Sequence, residues 1–143
     1  MSFDLKIKNG DIAIAKTGDV SVVFDNEKLR QDIIKILLTK LGENKYHAYY
    51  GSALGFLEIG SVPDADLIEA DLSRLTEEAI GVLIKMQMTQ MKKQYVSPGE
   101  IIIDIVSVDV FRDVSDPRGY NVNISVLTRR MTVVQETLTV RLL

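Results

Sequence analysis

Apolar and polar positions alternate through the first two dozen residues. Phe3, Leu5 and Ile7 are separated by Asp4 and Lys6, and the run ends at Asn9-Gly10, a pair that supplies the positive φ angles of a tight hairpin turn. Ile12 and Ile14 continue the alternation. After Thr17-Gly18-Asp19, the residues Val20, Val22 and Phe24 share one face of an extended chain, with Ser21 and Asp25 on the other. The spacing predicts a small β-meander over residues 3–24. From Asn26 the period changes: Leu29, Ile33, Ile36, Leu37 and Leu41 recur at helical spacing, while Lys28, Asp32, Lys35 and Lys40 fall elsewhere on the wheel. An amphipathic helix is expected, with Asn26 as N-cap and Gly42 as a left-handed C-terminal cap.

Residues 43–62 lack a strong period and read as an ordered loop with one short helical turn around 53–57. Ser61, Pro63 and Asp64 mark a second helix start, because proline in a first turn forfeits no hydrogen bond and an acid there meets the positive end of the helix dipole. Ile68, Leu72, Leu75, Ala79, Val82 and Met86 then step by three and four, so one helix runs to about Met91, with Gly81 as its weak point. Ser97-Pro98-Gly99 stops it. Three strands follow: Glu100 to Phe111, dense in Ile and Val; a strand in which Tyr120, Val122, Ile124 and Val126 alternate with Asn121, Asn123 and Ser125; and Thr132 to Leu142, where Val134, Leu138, Val140 and Leu142 share a face and Glu136 is the odd member. The loop Asp113–Gly119 joins the first two. Strands, helix, loop, long helix and strands make an α+β class, read as one domain over residues 1–143.

Composition narrows the function. With a net charge of -3, the chain lacks the basic footprint of a nucleic-acid binder. The absence of cysteine removes disulfides, thiolate metal sites and cysteine nucleophiles, and suits a reducing cytosol. No apolar run approaches the ~20 residues of a membrane helix, and the first residues do not read as a signal peptide.

Candidate chemistry is sparse. His47 is the only histidine, so neither a His-based triad nor a multi-His metal site can be assembled, and its tyrosine-rich loop suggests a hydrogen-bonding role. Glu69, Asp71, Glu77 and Glu78 belong to the polar face of the long helix. Glu43 follows Gly42 in a loop, with no partner acid visible in sequence. Gly51-Ser52-Ala53-Leu54-Gly55 lacks the lysine and spacing of a phosphate loop. Met86, Met88 and Met91 read as core filling more readily than as a partner face. The expectation is a chain without cofactor or metal, and not an enzyme. The β-rich terminal strands point elsewhere, since an open sheet edge invites another chain to add a strand. The plain alternative is a terminal strand that completes its own sheet.

The stretch Leu29-Arg30-Gln31-Asp32-Ile33-Ile34-Lys35-Ile36-Leu37-Leu38-Thr39-Lys40-Leu41-Gly42-Glu43, followed by Tyr50-Gly51-Ser52-Ala53-Leu54, resembles the baseplate wedge and sheath-initiator family of contractile phage tails, with counterparts in phage-derived bacteriocins and type VI secretion baseplates. Gly10-Asp11-Ile12 and Gly18-Asp19-Val20 are similar to that family's N-terminal strands. Two departures stand out: Asn44 or Lys45 and Tyr49 replace an expected Arg and Pro, and Ser97-Pro98-Gly99-Glu100 stands where many members carry a Glu-Pro-Arg triplet. The resemblance implies a structural protein of the virion tail baseplate, assembled in the host cytoplasm, that initiates the sheath by strand augmentation. Its implied partners are the tail sheath protein and other baseplate wedge or hub proteins, with the tail tube as a further candidate; neither nucleic acid nor membrane is among them. The strands expected to meet the sheath carry Tyr120, Val122, Ile124, Val126, Thr132, Val134, Leu138, Val140 and Leu142. The residues expected to shape the baseplate-facing motif are Gln31, Thr39, Gly42, Glu43, Tyr50 and Gly51. A lysozyme-type peptidoglycan hydrolase of the tail and a generic β-edge adaptor are the alternatives.

Overall fold

The computed structural model describes residues 3–54 and 65–141. The expected helix start at Ser61, Pro63 and Asp64, the end of the short helical turn beyond Leu54, and Leu142 lie outside the described residues.

The N-terminal meander forms from very short strands. β1 (Asp4–Leu5) pairs with β4 (Val22–Val23), and β2 (Ile7–Lys8) pairs with β3 (Asp11–Ile12), both antiparallel. Asn9 and Gly10 hold φ of 53° and 80° between β2 and β3, the geometry that the Asn-Gly pair favours. The meander's apolar residues are largely unburied: Leu5, Ile7, Ile12, Ile14, Val20, Val22 and Phe24 are exposed, and Val23 alone among its valines and isoleucines enters the core.

α1 spans Asp25–Leu38 and buries Leu29, Ile33, Ile36 and Leu37. Two expectations are corrected here. Asn26 is not the cap; Phe24 occupies that position, and the Asn26 Oδ1 is buried without a hydrogen-bond partner. The helix also stops short of Gly42. Thr39 turns to extended backbone, with its hydroxyl donating to the Lys35 carbonyl at 2.7 Å, and Gly42 (φ 85°) sits in the turn closed by Glu43 N–H on the Lys40 carbonyl. Leu41 thereby leaves the helical stripe and is exposed.

α2 (Ala65–Met91) is one helix of 27 residues, continuous through Gly81, about 40 Å long at 1.5 Å per residue. Its buried stripe is Leu72, Leu75, Thr76, Ala79, Ile80, Leu83 and Gln87. The methionines are not core filling as expected: Met86 and Met91 are half-buried and Met88 is exposed. A 3-10 turn at Pro98–Glu100 leads into the sheet β5 (Ile102–Arg112), β6 (Gly119–Thr128) and β7 (Val133–Arg141), antiparallel in the order β5-β6-β7. α2 lies over β5, α1 over β7, and both helices pack their buried stripes on the inner face of the sheet around Tyr120, Val122, Ile124, Val126, Val134 and Leu138. The result is an α+β fold in which, among the described residues, a three-stranded antiparallel sheet carries two helices on one face.

Candidate functional site: an open strand edge beside a helix groove

Sheet order decides which backbone is available. Thr128 N–H donates to the Thr132 carbonyl at 2.9 Å. Antiparallel pairs alternate between hydrogen-bonded and non-bonded, so with the register Val126↔Val134, Ile124↔Glu136, Val122↔Leu138 and Tyr120↔Val140, the even-numbered residues of β6 bond β7. Asp113 N–H bonds the Gly119 carbonyl, which sets the odd-numbered residues of β6 against β5 through Asn121↔Phe111, Asn123↔Asp109 and Ser125↔Ser107. β6 is therefore saturated on both sides. Tyr120, Val122, Ile124 and Val126, expected on a sheath-meeting strand, fill the core and leave no free main-chain groups for an added strand.

β7 is an edge. Its even-numbered residues spend their backbone on β6, and the side chains of Val134 and Leu138 are buried, so the free hydrogen-bonding groups of β7 belong to the other residues. The backbone groups left pointing outward belong to Val133, Gln135, Thr137, Thr139 and Arg141, and among the described residues no other element bonds them. The outer-face side chains form a polar ladder: the Thr137 hydroxyl donates to Asn123 Oδ1 at 2.8 Å and that of Thr139 to Asn121 Oδ1 at 3.0 Å, each across a non-bonded pair, where side chains approach closest. Thr132 lies before β7, where its carbonyl and hydroxyl meet Thr128 and close the hairpin.

The opposite edge differs. β5 shifts register between Ile102 and Asp104 and again between Ile105 and Ser107. Such bulges bend an edge away from further pairing. β7 keeps one register throughout and contains neither proline nor glycine, so it is the edge suited to augmentation.

Beside β7 runs a groove of about 550 Å³ between α1 and the N-terminal strands, into which Glu136 faces. Ile34 and Leu38 supply its apolar floor, and Leu38 is 67% exposed. Three of the motif residues, Gln31, Thr39 and Glu43, line it. Gln31 is occupied within the chain: its Oε1 accepts from Ile7 N–H at 2.9 Å, and its Nε2 donates to the Leu5 carbonyl at 2.8 Å and to Asp4 at 3.3 Å. It clamps the meander to α1. Gly51 and Ser52 cap the helix end instead of facing outward. The Ser52 hydroxyl donates to the Leu37 carbonyl at 2.7 Å, its N–H to Thr39 O, and its own carbonyl accepts from Leu41 N–H. This satisfies carbonyls that a helix terminus leaves orphaned. Tyr50 is half-buried against the core, so of the six motif residues only Glu43 and Gly42 lie fully at the surface.

Sequence reading missed the ion network inside the α1 interface. Lys28 contacts Asp32 at 2.7 Å and Glu100 at 3.1 Å, and Lys35 contacts Asp4 at 2.6 Å and Asp32 at 3.7 Å. Glu100 is 1% exposed and also accepts from Ser97 N–H. Burial disfavours the charge on Lys28, but Asp32 and then Glu100 outweigh it and raise the pKa above the ordinary lysine range. For Lys35 burial is likewise outweighed, by Asp4 and Asp32, with the same upward direction. Asp4 is held below the ordinary carboxylate range: burial pushes it up, and the bonds from Lys35 and Leu5 N–H prevail. Burial pushes the Tyr50 hydroxyl up. Nearby, Asp25 accepts from Ser97 at 2.7 Å and from Arg130, tying the start of α1 to the 97–100 turn and the β6–β7 turn. These partners lie 72 and 105 residues away, beyond any local sequence signal. His47 is exposed; its ring meets the Tyr49 hydroxyl and ring, and its backbone is held in the loop by Asn44 and Tyr50. No group of three or more metal-ligating side chains occurs among the described residues, and no described helix is long and apolar enough to cross a membrane.

No family model and no curated protein matches the chain. A solved structure does: a "putative tail lysozyme" from Geobacter sulfurreducens, at a TM-score of 0.61 and 17% identity, covering 82% of this chain and 90% of that one. This corrects the expectation that the chain is not an enzyme. That expectation rested on the lone histidine, the absent cysteine and the lack of a visible partner acid for Glu43, whereas glycoside hydrolysis needs only two carboxylates, and Glu27, Glu43 and Glu136 line one groove. The likeness extends over most of both chains, and what it establishes is a fold shared with a protein named for a tail.

Proposed function

We propose that the chain is a structural component of a contractile-tail baseplate that starts the sheath by lending the β7 edge to an extended arm of each first-ring sheath subunit. The observation that carries this reading is the regular edge of β7, unpaired among the described residues, next to a groove able to receive side chains. The resemblance of residues 29–43 and 50–54 to sheath initiators and the tail-related fold neighbour support it. Each added strand would satisfy alternate N–H and C=O groups from Val133 to Arg141, and main-chain pairing would pass the register of the baseplate to the sheath. The exposed apolar residues of the meander, Ile7, Ile12, Ile14 and Val20 among them, are the surface offered to other wedge or hub proteins.

Removing β7 would not test this, because Val134 and Leu138 belong to the core. Thr137→Pro does. Its N–H points outward, so proline leaves the β6–β7 main-chain ladder intact, loses the side-chain bond to Asn123, and blocks an added strand. Baseplates carrying it should assemble and fail to nucleate sheath, while Gln135→Ala should behave as wild type. Normal sheath growth on Thr137→Pro baseplates, with the variant folded, defeats the proposal.

A second reading is a tail-associated peptidoglycan hydrolase. It is favoured by the printed name of the fold neighbour and by Glu27, Glu43 and Glu136 lining one groove. Turnover on purified peptidoglycan, abolished by Glu43→Gln, would establish it; absence of turnover at high protein concentration would remove it.

A further inference from the structure

Glu136 is the side chain that the β7 pattern leaves unexplained. It stands on the inner face between the buried Val134 and Leu138, opposite Ile124, and points into the groove beside α1. No cation lies within ion-pair distance of it among the described residues; its Oε1 accepts only the neighbouring Thr137 N–H, at 3.2 Å. Lys35 of the same groove is committed to Asp4 and Asp32. Setting Lys35 aside, the charged groove side chains are Lys6 and Arg30 against Glu27, Glu43 and Glu136, an excess of negative charge around an apolar floor.

Register fixes what an added strand would place there. Because Glu136 spends its backbone on Ile124, its position relative to an antiparallel newcomer on the open side is a non-hydrogen-bonded pair, where facing side chains come closest. The newcomer's residue opposite Glu136 projects onto the same inner face. Its neighbours two positions to either side lie along Val134 and Leu138 and over the Ile34 and Leu38 floor.

Resting on the augmentation reading above, we infer that the segment taken up by β7 carries a basic residue flanked at plus and minus two by apolar ones, the basic side chain pairing with Glu136 and the apolar ones covering Ile34 and Leu38. The pattern reads the same in both chain directions, so it selects side-chain chemistry independently of strand polarity. Opposite charges across a strand pair attract and like charges repel by comparable amounts, so exchanging the central charge moves affinity through both effects at once. The acidic carboxylate also rejects strands with an acid at that place, which protects an otherwise promiscuous edge.

The test uses the whole chain and two labelled nine-residue peptides of alternating valine and threonine, one with lysine and one with glutamate at the central inward position. Fluorescence anisotropy at low salt should show the lysine peptide binding about tenfold more tightly than its twin. Glu136→Gln should erase the difference and Glu136→Lys should reverse it, with circular dichroism confirming that both variants fold. Thr137→Pro should abolish binding of both peptides. Equal binding of the two peptides to the wild-type chain, still lost in Thr137→Pro, would overturn the role of Glu136 and leave the edge standing. Binding of neither peptide to the wild-type chain, or binding undiminished by Thr137→Pro, would overturn both.

Discussion

Gly51 links the sequence motif to the fold through one tight approach, and Gly51→Ala tests that link. Its φ of 127° lies in a region L side chains rarely adopt, and an added Cβ would stand 2.7 Å from the Thr39 carbonyl oxygen and 3.0 Å from Leu41 N. Both neighbours are backbone, so neither can rotate aside. Holding alanine in that conformation costs about 1–3 kcal/mol. Relieving the clash means moving the loop off the helix end. That sacrifices the Ser52 N–H to Thr39 O and Leu41 N–H to Ser52 O bonds and the buried Ser52 hydroxyl to Leu37 O bond, each worth roughly 0.5–1.5 kcal/mol net. The loss is therefore about 1–4 kcal/mol, whichever route the chain takes, a large part of the ~5–15 kcal/mol that stabilises a typical domain. Urea denaturation should show an unchanged m-value and a lowered midpoint, and thermal melts a fall on the order of 10 °C. Ser52→Ala, which keeps the glycine and removes only the hydroxyl, should lose about 1–2 kcal/mol. A Gly51→Ala variant within roughly 0.5 kcal/mol of wild type would refute the claim that this loop is seated by backbone contact.

Met131 holds φ of 65° in the β6–β7 turn and is exposed, so Met131→Gly should raise stability by about 0.5–1 kcal/mol in urea, a residual after glycine's greater unfolded-state freedom. Gln87 donates to the Glu100 carbonyl at 2.6 Å and accepts from Ile102 N–H at 2.9 Å, both buried; Gln87→Leu orphans the two backbone groups and should cost about 2–4 kcal/mol. The ion network sets the pH window. The lowered Asp4 contributes stability that is present above its unfolded pKa and lost as pH falls through the lower folded value. The raised Lys28, Lys35 and Tyr50 contribute stability that is present below their unfolded values and lost as pH rises through the folded ones. Urea midpoints should therefore be flat near neutrality and fall below about pH 4 and above about pH 10; a Lys35→Met chain should show a shallower decline at both ends.

Local signals made much of the fold legible. Asn9-Gly10 announced its hairpin, the Leu29–Leu37 stripe its helix, and alternation from Tyr120 to Val126 a half-buried strand. What failed was anything set by partners far along the chain. Alternation shows that β6 and β7 each have a buried face but cannot show which is flanked on both sides, so the pattern alone does not separate a central strand from an edge. Even on β7, the side-chain pattern drew attention to Val134, Leu138 and Val140, whereas availability belongs to the backbone of the other parity. Leu41 extended the helical pattern past the true end at Leu38 because the Ser52 carbonyl competes for its N–H. Two of the polar residues in the core, Gln87 and Glu100, look like surface positions until their partners are brought to them by the packing of α2 on β5 and of α1 on the 97–100 turn.

Quenched hydrogen exchange, read amide by amide along β7 in the free chain and again after sheath assembly, measures strand-edge availability directly. Val134, Glu136 and Leu138, which bond β6, should be protected in both states, and Gln135, Thr137 and Thr139 should exchange freely in the isolated chain and become protected when sheath subunits are bound. Protection of those three outward amides before any partner is added, or their continued rapid exchange in the assembled baseplate, would contradict the account.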